Sequence, residues 1–218
     1  GSLVKKEREE IFRLFLEQTE LPFGQIEKAL KLRSNMVAYH LGEMQREGLL
    51  EKKGLQYKLT RLGERYIPIF PHIIGRELSP LPVILAAVMH NDKVLLLKRN
   101  MRPYKDYWSL IGGKMLFEET FETGSLRLVK EKGGLDCKFA SVNSILHERV
   151  EGEGMIKHSF ILFFTKAMAL NTKLKETEHG ELRWFSLKNL EKERIIPSDL
   201  WLIKNRLNAR IGVKTAVM

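Results

Sequence analysis

The sequence has almost no cysteine and no long apolar run. Its single cysteine, Cys137, excludes an intrachain disulfide and is typical of proteins that work in a reducing cytoplasm. The longest apolar stretches, residues 83–89 and 160–170, are shorter than the roughly 20 residues that a membrane-spanning helix needs. No apolar segment follows the charged N-terminus, so no secretory signal is predicted. We therefore expect a cytoplasmic protein with no membrane partner.

The sequence also lacks several marks of catalytic and metal sites. Its six histidines do not have the spacing of a zinc site, and no Ser-His-Asp or Cys-His arrangement can be recognised. There is no internal repeat and no low-complexity tract. What the sequence does have is positive charge, with 37 Lys and Arg against 27 Asp and Glu. Such an excess suits a polyanionic partner, either nucleic acid or a phosphorylated small molecule, although charge alone is equally compatible with a role in solubility.

The distribution of proline predicts two domains. Four of the seven prolines lie between residues 66 and 82, where neither a helix nor a central strand accommodates them easily. A length of 218 residues is enough for two modest domains. We therefore predict an N-terminal domain over residues 3–68, a linker over 69–80 and a second domain over 81–214.

The N-terminal region has the pattern of three helices followed by a hairpin. In the third helix, Val37, Leu41 and Met44 recur on one face, and Ser34 is placed to cap its first turn. Two short strands then follow, with a predicted turn near Lys53 and Gly54. Thr60 is placed to cap a further helix.

This order of elements resembles the winged helix-turn-helix family of DNA-binding domains. The resemblance implies that the third helix enters the major groove of double-stranded DNA and that the hairpin reaches the adjacent backbone. The residues expected to contact DNA are polar or basic and lie on the third helix or the hairpin: Arg33, Ser34, Asn35, Tyr39, Arg46, Lys52, Lys53 and Lys58. The alternative is a winged helix that contacts protein, because Glu43, Glu47 and Glu51 dilute the positive face. A domain that reads symmetric half-sites also favours a homodimer.

The second region alternates strands and helices, so the overall fold class is predicted to be α+β. Residues 83–89 form a buried strand, residues 90–92 a turn, and the next apolar run a returning strand. A helix is predicted from about Thr120 to Lys132, and a closing helix has Pro197 in its first turn.

Between Gly113 and Leu135 the sequence resembles the box of the Nudix superfamily, G-x5-E-x7-R-E-U-x-E-E-x-G-U, in which U is apolar. The matching positions have the spacing of the signature throughout: Gly113, Glu119, Arg127, Val129, Glu131, Gly134 and Leu135. The resemblance implies an α/β/α sandwich with a mixed sheet, and hydrolysis of nucleoside diphosphates linked to another group. It also implies that Glu119 pairs with Arg127 and that Gly134 ends the helix.

Two positions depart from this signature. Leu128 and Lys132 stand where the family has glutamates, on a helix face that they share with Glu131. In active members that face binds Mg²⁺ or Mn²⁺, so Glu131 is the one remaining candidate as a metal ligand or catalytic group. Other acidic residues are possible substitute ligands: Glu118, Glu122, Glu148, Glu178 and Glu181.

The box keeps its structural residues but has lost two of its metal-binding carboxylates. This pattern suggests a site that binds a ligand. The residues expected to bind a nucleotide-derived molecule are mainly charged: Arg99, Arg102, Lys114, Glu119, Arg127, Glu131, Lys132 and Tyr104. The aromatic rings of Tyr107, Trp108 and Phe117 are further candidates for stacking on a base.

Three functions remain open at this stage. The first is a DNA-binding transcriptional regulator whose altered Nudix domain senses a nucleotide-diphosphate-type effector. The second is a Nudix hydrolase, acting on a nucleoside diphosphate derivative such as ADP-ribose, with an unorthodox Mg²⁺ or Mn²⁺ site. The third is an interaction module with neither ligand nor activity.

Overall fold

The computed structural model describes residues 2–75, 78–102, 104–174 and 178–216. The chain divides into two compact units, Gly1–Ser79 and Pro80–Met218. The first unit therefore extends past residue 68, because Phe70 is buried in its core and stacks on Phe12, with ring centroids 4.7 Å apart. Of the segment predicted as a linker, residues 76 and 77 lie outside the described residues.

The first unit combines helices with a small antiparallel sheet. Its elements in chain order are α1 (Lys6–Glu17), β1 (Glu20–Pro22), α2 (Phe23–Leu30), α3 (Ser34–Arg46), β2 (Leu50–Lys53), β3 (Gln56–Leu59), α4 (Arg61–Tyr66) and α5 (Phe70–Ile73). The strand order is β1-β3-β2. Apolar residues from α1, α2, α3 and the sheet form one core, in which Val37, Leu41 and Met44 are at most 1% exposed. The helical periodicity of α3 therefore predicted its buried face correctly.

The ends of these elements confirm one predicted cap and correct another. The Thr60 hydroxyl accepts a hydrogen bond from the Gly63 amide at 3.2 Å, as an N-cap residue does. Ser34, in contrast, is already the first residue of α3, and Arg33 occupies the cap position without a side-chain hydrogen bond to the helix. The Ser34 hydroxyl donates instead to the carboxylate of Glu27 on α2, so it links two helices.

The second unit is built on a mixed sheet. Its elements are β4 (Leu81–His90), β5 (Lys93–Lys98), β6 (Trp108–Ser109), β7 (Ile111–Lys114), α6 (Phe121–Gly133), β8 (Cys137–Gly152), β9 (Met155–Ala169), β10 (Leu182–Ser186) and α7 (Pro197–Arg206). The main strand order is β10-β5-β4-β9-β8, with β6 paired to β5 and β7 paired to β4. The β4–β9 pairing is parallel and the other pairings are antiparallel, so the predicted α+β class and mixed sheet are confirmed.

Alternate residues of β4 contribute to two separate cores. Leu85, Ala87 and Met89 belong to the core that contains residues of α7. Ile84, Ala86 and Val88 belong to the core that contains Leu128 and Val129 of α6. Because side chains of a strand alternate between faces, a helix packs on each side of this strand. Helix α6, which is part of the box, therefore packs on one face of the sheet.

Among the described residues, no helix is both long enough and apolar enough to cross a membrane.

Candidate functional site

The helix of the box begins and ends as the sequence predicts. The Thr120 hydroxyl accepts from the Thr123 amide at 3.1 Å, while the Thr123 hydroxyl accepts from the Thr120 amide at 2.9 Å, which closes a reciprocal cap. At the other end, Gly134 has a φ of 65°, in the left-handed region that favours glycine. The predicted role of Gly134 as the end of α6 is therefore confirmed.

Glu119 and Arg127 join the loop to the helix, as predicted. The Arg127 guanidinium donates from Nε and Nη2 to the two oxygens of the Glu119 carboxylate, and Nη2 also donates to the Lys114 carbonyl at 3.1 Å. The Leu116 amide donates to Glu119 Oε2 at 2.8 Å. The Arg127 hydrogen bond is the main cause that holds the pKa of Glu119 below its usual value. Both oxygens of Glu119 thus accept hydrogen bonds from the loop or the helix, so the pair acts as a structural frame.

Leu128 packs into the core at a position where the Nudix signature has a glutamate. Its side chain is 2% exposed and belongs to the core under α6. A Cβ added at Gly113 would lie 2.4 Å from a Leu128 methyl carbon, so strand β7 and helix α6 are in direct contact here. The glycine at position 113 is therefore required by close packing against Leu128.

Lys132 crosses from α6 to strand β7. Its ammonium group donates a hydrogen bond to the Gly112 carbonyl, and its side chain lines a pocket beside Gly113. Burial is the main cause that lowers the pKa of Lys132, and the charge of Arg99 lowers it further. A cationic amine therefore stands at the pocket wall where the Nudix signature has a metal-binding carboxylate.

Glu131 does not line this pocket. Its side chain is 52% exposed and accepts from Arg127 Nη1 at 2.9 Å. The three positions of the helix face thus offer a buried leucine, an ion-paired glutamate and a lysine. The described residues contain no group of three or more His, Cys, Asp and Glu side chains that could hold a metal ion. The residues present do not fit the divalent metal site that the Nudix signature implies.

The pocket has a volume of about 670 Å³ and lies in the second unit. Of the predicted ligand-binding residues it brings together Arg99, Tyr104, Lys114 and Lys132. It is not lined by Arg102, Glu119, Arg127 or Glu131. Three basic groups therefore converge on one cavity, while the glutamates of the box stay outside it.

The other aromatic residues that were predicted to stack on a base do not line the pocket. Trp108 is 6% exposed and lies in the core beneath Arg183, whose guanidinium carbon is 5.0 Å from the ring centroid. Tyr107 stacks under Arg194 at 4.3 Å. Phe117 is 72% exposed. Phe160, which the sequence did not single out, lines the pocket together with Tyr104.

An acidic wall of the pocket was missed in part by sequence reasoning. Asp199 lies in the first turn of α7, is 2% exposed, and accepts from the Leu110 amide at 2.7 Å. Burial is the main cause that raises the pKa of Asp199 to about 7. Glu148 lines the same pocket and accepts a hydrogen bond from the Ser198 hydroxyl. In sequence, Asp199 is indistinguishable from an ordinary acidic residue at a helix N-terminus, because nothing local indicates its burial.

The residues predicted to contact DNA occupy exposed positions of the first unit, except Lys58, which is half-buried. On α3, Tyr39 is 50% exposed, and Asn35 is exposed with its side-chain oxygen accepting from the Met36 amide at 2.9 Å. On the hairpin, Lys52 and Lys53 are exposed, while Lys58 pairs with Glu51 at 2.9 Å. Arg33 is exposed, and Arg46 is exposed beside Glu43, with which it forms an ion pair.

Arg8 of α1 forms ion pairs with Glu43 and Glu47, two of the acidic residues at α3 that dilute the positive face. Its guanidinium group is 3% exposed and donates to Glu43 and Glu47, each at 3.1 Å. A buried arginine with two carboxylates ties α1 to the side of α3. The single positive charge of Arg8 thereby offsets one of the two negative charges of Glu43 and Glu47.

Residues 80–204 match the family model described as the NUDIX domain. No curated protein sequence matches the chain. Among solved structures, the mutator MutT protein from Bacillus halodurans is similar, with 26% identity and a TM-score of 0.52, over 60% of this chain and 85% of that one.

Two further structures show similarity of fold alone, since their sequence identities are low. A MutT NUDIX hydrolase from Burkholderia pseudomallei has 22% identity and a TM-score of 0.52, over 58% of this chain and 98% of that one. The NUDIX domain of Shewanella oneidensis NrtR, solved in complex with ADP ribose, has 18% identity and a TM-score of 0.52, over 67% of this chain and 96% of that one.

Proposed function

The chain belongs to the NUDIX family, and on that premise we propose that its second unit is a sensor for a nucleotide-diphosphate-type effector. In this proposal the first unit is a winged helix-turn-helix that binds double-stranded DNA, and the whole protein is a transcriptional regulator. The observation that carries the proposal is Lys132, an ammonium group at the wall of the pocket where the family signature has a carboxylate.

The basic side of the pocket supports an anionic ligand, while Glu148, Glu178 and Asp199 line the cavity as an acidic wall. Arg99, Lys114 and Lys132 line it, and phosphoryl oxygens are strong acceptors for all three side chains. In a hydrolase of this family, a divalent cation offsets the charge of the diphosphate. Here we infer that Lys132 and Arg99 take over this electrostatic role, which stabilises bound ligand without a metal ion. Tyr104 and Phe160 add aromatic surface for the rest of the ligand.

The proposal for effector binding is tested by isothermal titration calorimetry with ADP-ribose and with inorganic pyrophosphate, in the presence of a chelator. We expect binding without metal, and Lys132→Ala should raise the dissociation constant by about 10- to 100-fold, as loss of a hydrogen bond to a charged group does. The matched control is Lys130→Ala, because Lys130 is exposed on the same helix and pairs with Asp136. Equal effects of the two changes, or no binding by the native protein, would contradict the proposal.

The first unit supports DNA binding through its surface chemistry. Helix α3 presents Asn35 and Tyr39 to solvent, and the hairpin presents Lys52 and Lys53. Asparagine can read a base edge, and lysines neutralise phosphates. Because Arg8 offsets one of the two negative charges of Glu43 and Glu47, the main argument against this surface is weaker. We propose the contact set Arg33, Ser34, Asn35, Tyr39, Arg46, Lys52, Lys53 and Lys58.

The DNA proposal is tested by fluorescence anisotropy of the full chain on a random-sequence duplex and on a pool enriched by selection. Changing Lys52 and Lys53 to alanine should weaken binding about equally on both and lower the salt dependence by roughly two counterions. Asn35→Ala should weaken only the enriched pool. The matched control, Lys93→Ala, alters an exposed lysine of the second unit and should change neither. Absence of DNA binding at low salt would contradict the proposal.

A second candidate function is hydrolysis by an unorthodox Mg²⁺ or Mn²⁺ site. The observation in its favour is the pair of carboxylates, Glu148 and Asp199, on the wall of the pocket. The test is turnover of ADP-ribose, NAD and nucleoside triphosphates by the native protein. Robust turnover that is abolished by chelator would establish the hydrolase. Loss of that turnover in Glu131→Gln would further show that the remaining glutamate of the box takes part.

A further inference from the structure

We propose that Lys132 is a covalent ligand site, at which its amine forms a reversible imine with the aldehyde of a phosphate ester held in the pocket. The inference rests on the proposed effector site and adds a chemical step to it, in which the ligand carries an aldehyde as well as a phosphate. It arises from the position of Lys132, the groups that surround it and the contrast with Lys130 on the same helix.

The amine of Lys132 is held at the wall of the pocket. Its side chain is half-buried and lines the cavity, and its Nζ atom donates to the Gly112 carbonyl of strand β7. A Cβ added at Gly113 would lie 3.5 Å from this nitrogen, so the amine is also close to the next residue of the strand. A nucleophile that is fixed in a ligand cavity is already placed for attack on a bound molecule.

The surroundings of Lys132 favour the neutral amine, which is the form that attacks a carbonyl group. Burial is the main cause that lowers the pKa of Lys132, and the charge of Arg99 lowers it further. Lys130 is a useful contrast, because its ammonium group is exposed and pairs with Asp136 at 2.6 Å. At a given pH, Lys132 therefore contains more of the reactive form than an ordinary exposed lysine does.

The same pocket offers cations for the phosphate of such a ligand. Arg99 and Lys114 line it, and a guanidinium group binds phosphate oxygens through paired hydrogen bonds. Because the charge of Arg99 acts on Lys132, these two groups are close in space. A phosphate bound at Arg99 and Lys114 thus brings the rest of a small ligand to the amine, and its aldehyde gains a high effective concentration there.

Imine formation at Lys132 conserves charge and needs no oxidant or reductant. The lone pair of Nζ attacks the carbonyl carbon, and the adduct then loses the carbonyl oxygen as water while a carbon–nitrogen double bond forms. Of the three protons of the ammonium group, two leave in the water and one stays on the protonated imine. Asp199 lines the pocket, and burial raises its pKa to about 7, so it can accept and return a proton near neutral pH. The product keeps the positive charge that faces the phosphate.

The test uses the full chain with pyridoxal 5′-phosphate, a phosphorylated aldehyde whose imine has its own visible absorption band. Pyridoxine 5′-phosphate, the corresponding alcohol, is the matched ligand and should give no band. Borohydride reduces the imine to a stable amine, and peptide mass spectrometry should then find most of the label on Lys132 and little on Lys130. Lys132→Arg, which keeps the charge, should abolish the band, whereas the matched control Lys130→Arg should retain it.

Ribose 5-phosphate, whose ring opens to an aldehyde, extends the test to a sugar. Trapping with cyanoborohydride should label Lys132 of the native protein, and unphosphorylated ribose should label it far less. Excess inorganic pyrophosphate should suppress both labelling reactions. Label spread over the exposed lysines, or label indifferent to pyrophosphate, would overturn the proposal. Calorimetry with pyrophosphate separates the two proposals: binding without label on Lys132 excludes only the imine, whereas the absence of binding contradicts the effector site itself.

Discussion

Helix α6 has two sides that differ in chemistry although their residues are one turn apart or less. On one side, Arg127 bonds Glu119 and Glu131, and these groups hold the loop to the helix. On the other side, Leu128 enters the core and Lys132 reaches the Gly112 carbonyl at the pocket wall. The first side keeps the residues of the family signature, and the second side carries both departures.

This difference shows that the frame of the box and its chemistry are physically separable. The Glu119–Arg127 pair is satisfied by the loop and the helix, so it needs no ligand or metal to be stable. The other side, in contrast, carries Leu128 in the core and Lys132 at the pocket wall, while the Glu119–Arg127 pair is intact. The pocket is therefore formed although two carboxylates of the signature are replaced.

The largest expected effect comes from Leu128→Glu. The substitution would bury a carboxylate among the apolar residues of the core under α6 and should lower the free energy of unfolding by about 4 kcal/mol. Leu128→Met, which nearly conserves volume, should cost about 1 kcal/mol. Urea unfolding measures both. The double change Leu128→Glu with Lys132→Glu should consequently destabilise the protein before it rebuilds a metal site, and a stable double variant that binds Mg²⁺ would refute this.

Changes to the Glu119–Arg127 pair should lower the free energy of unfolding by a smaller amount. Glu119→Ala removes the acceptor for Arg127 and for the Leu116 amide, and should lower the free energy of unfolding by about 2 kcal/mol. The control is Glu122→Ala, an exposed acidic residue in the first turn of the same helix, which should cost about 0.5 kcal/mol. If the two changes cost the same, Glu119 and Arg127 do not form the frame.

The pocket side should respond to pH through Lys132. Its pKa is lowered by burial, so its contribution to anion binding is complete below that pKa and is lost as pH rises through it. Because the pKa lies below the ordinary 10.5, the loss should occur at lower pH than for an exposed lysine. The affinity for ADP-ribose should fall by up to about tenfold as pH rises through this lowered pKa. Lys132→Arg should retain its affinity over this range; a parallel fall would assign the effect to another group.

Glu131→Gln should have the smallest effect. The change removes an ion pair whose carboxylate is 52% exposed, and pairs of this kind contribute about 0.5 kcal/mol or less. Calorimetric ligand binding in chelator should be unchanged, because Glu131 does not line the pocket. A clear loss of binding would mean that Glu131 takes part in the site after all.

Much of the fold could be predicted from local patterns. The periodicity of Val37, Leu41 and Met44 identified the buried face of α3, and Thr60, Gly134 and Pro197 marked helix ends. These predictions succeed because capping and amphipathic burial depend on neighbours within a few residues. Ser34 shows the limit of such reasoning, since its hydroxyl bonds Glu27 of another helix.

The candidate site could be predicted only in part. The sequence supplied Arg99, Tyr104, Lys114 and Lys132, which the pocket does bring together. It also supplied Arg102, Glu119, Arg127 and Glu131, which lie elsewhere. Spacing along a helix shows that residues share a face, but it does not show which edge of that face meets the pocket.

The sequence by itself determined the family frame, the ends of the box helix and the replacement of two carboxylates, because each of these is a matter of residue type at a fixed spacing. Only the tertiary structure decided that Leu128 is core, that Lys132 bonds a strand carbonyl, and that Asp199 is buried with a raised pKa beside residues far from it in sequence. Burial and electrostatic environment are set by what other segments place around a side chain. No local pattern encodes that environment.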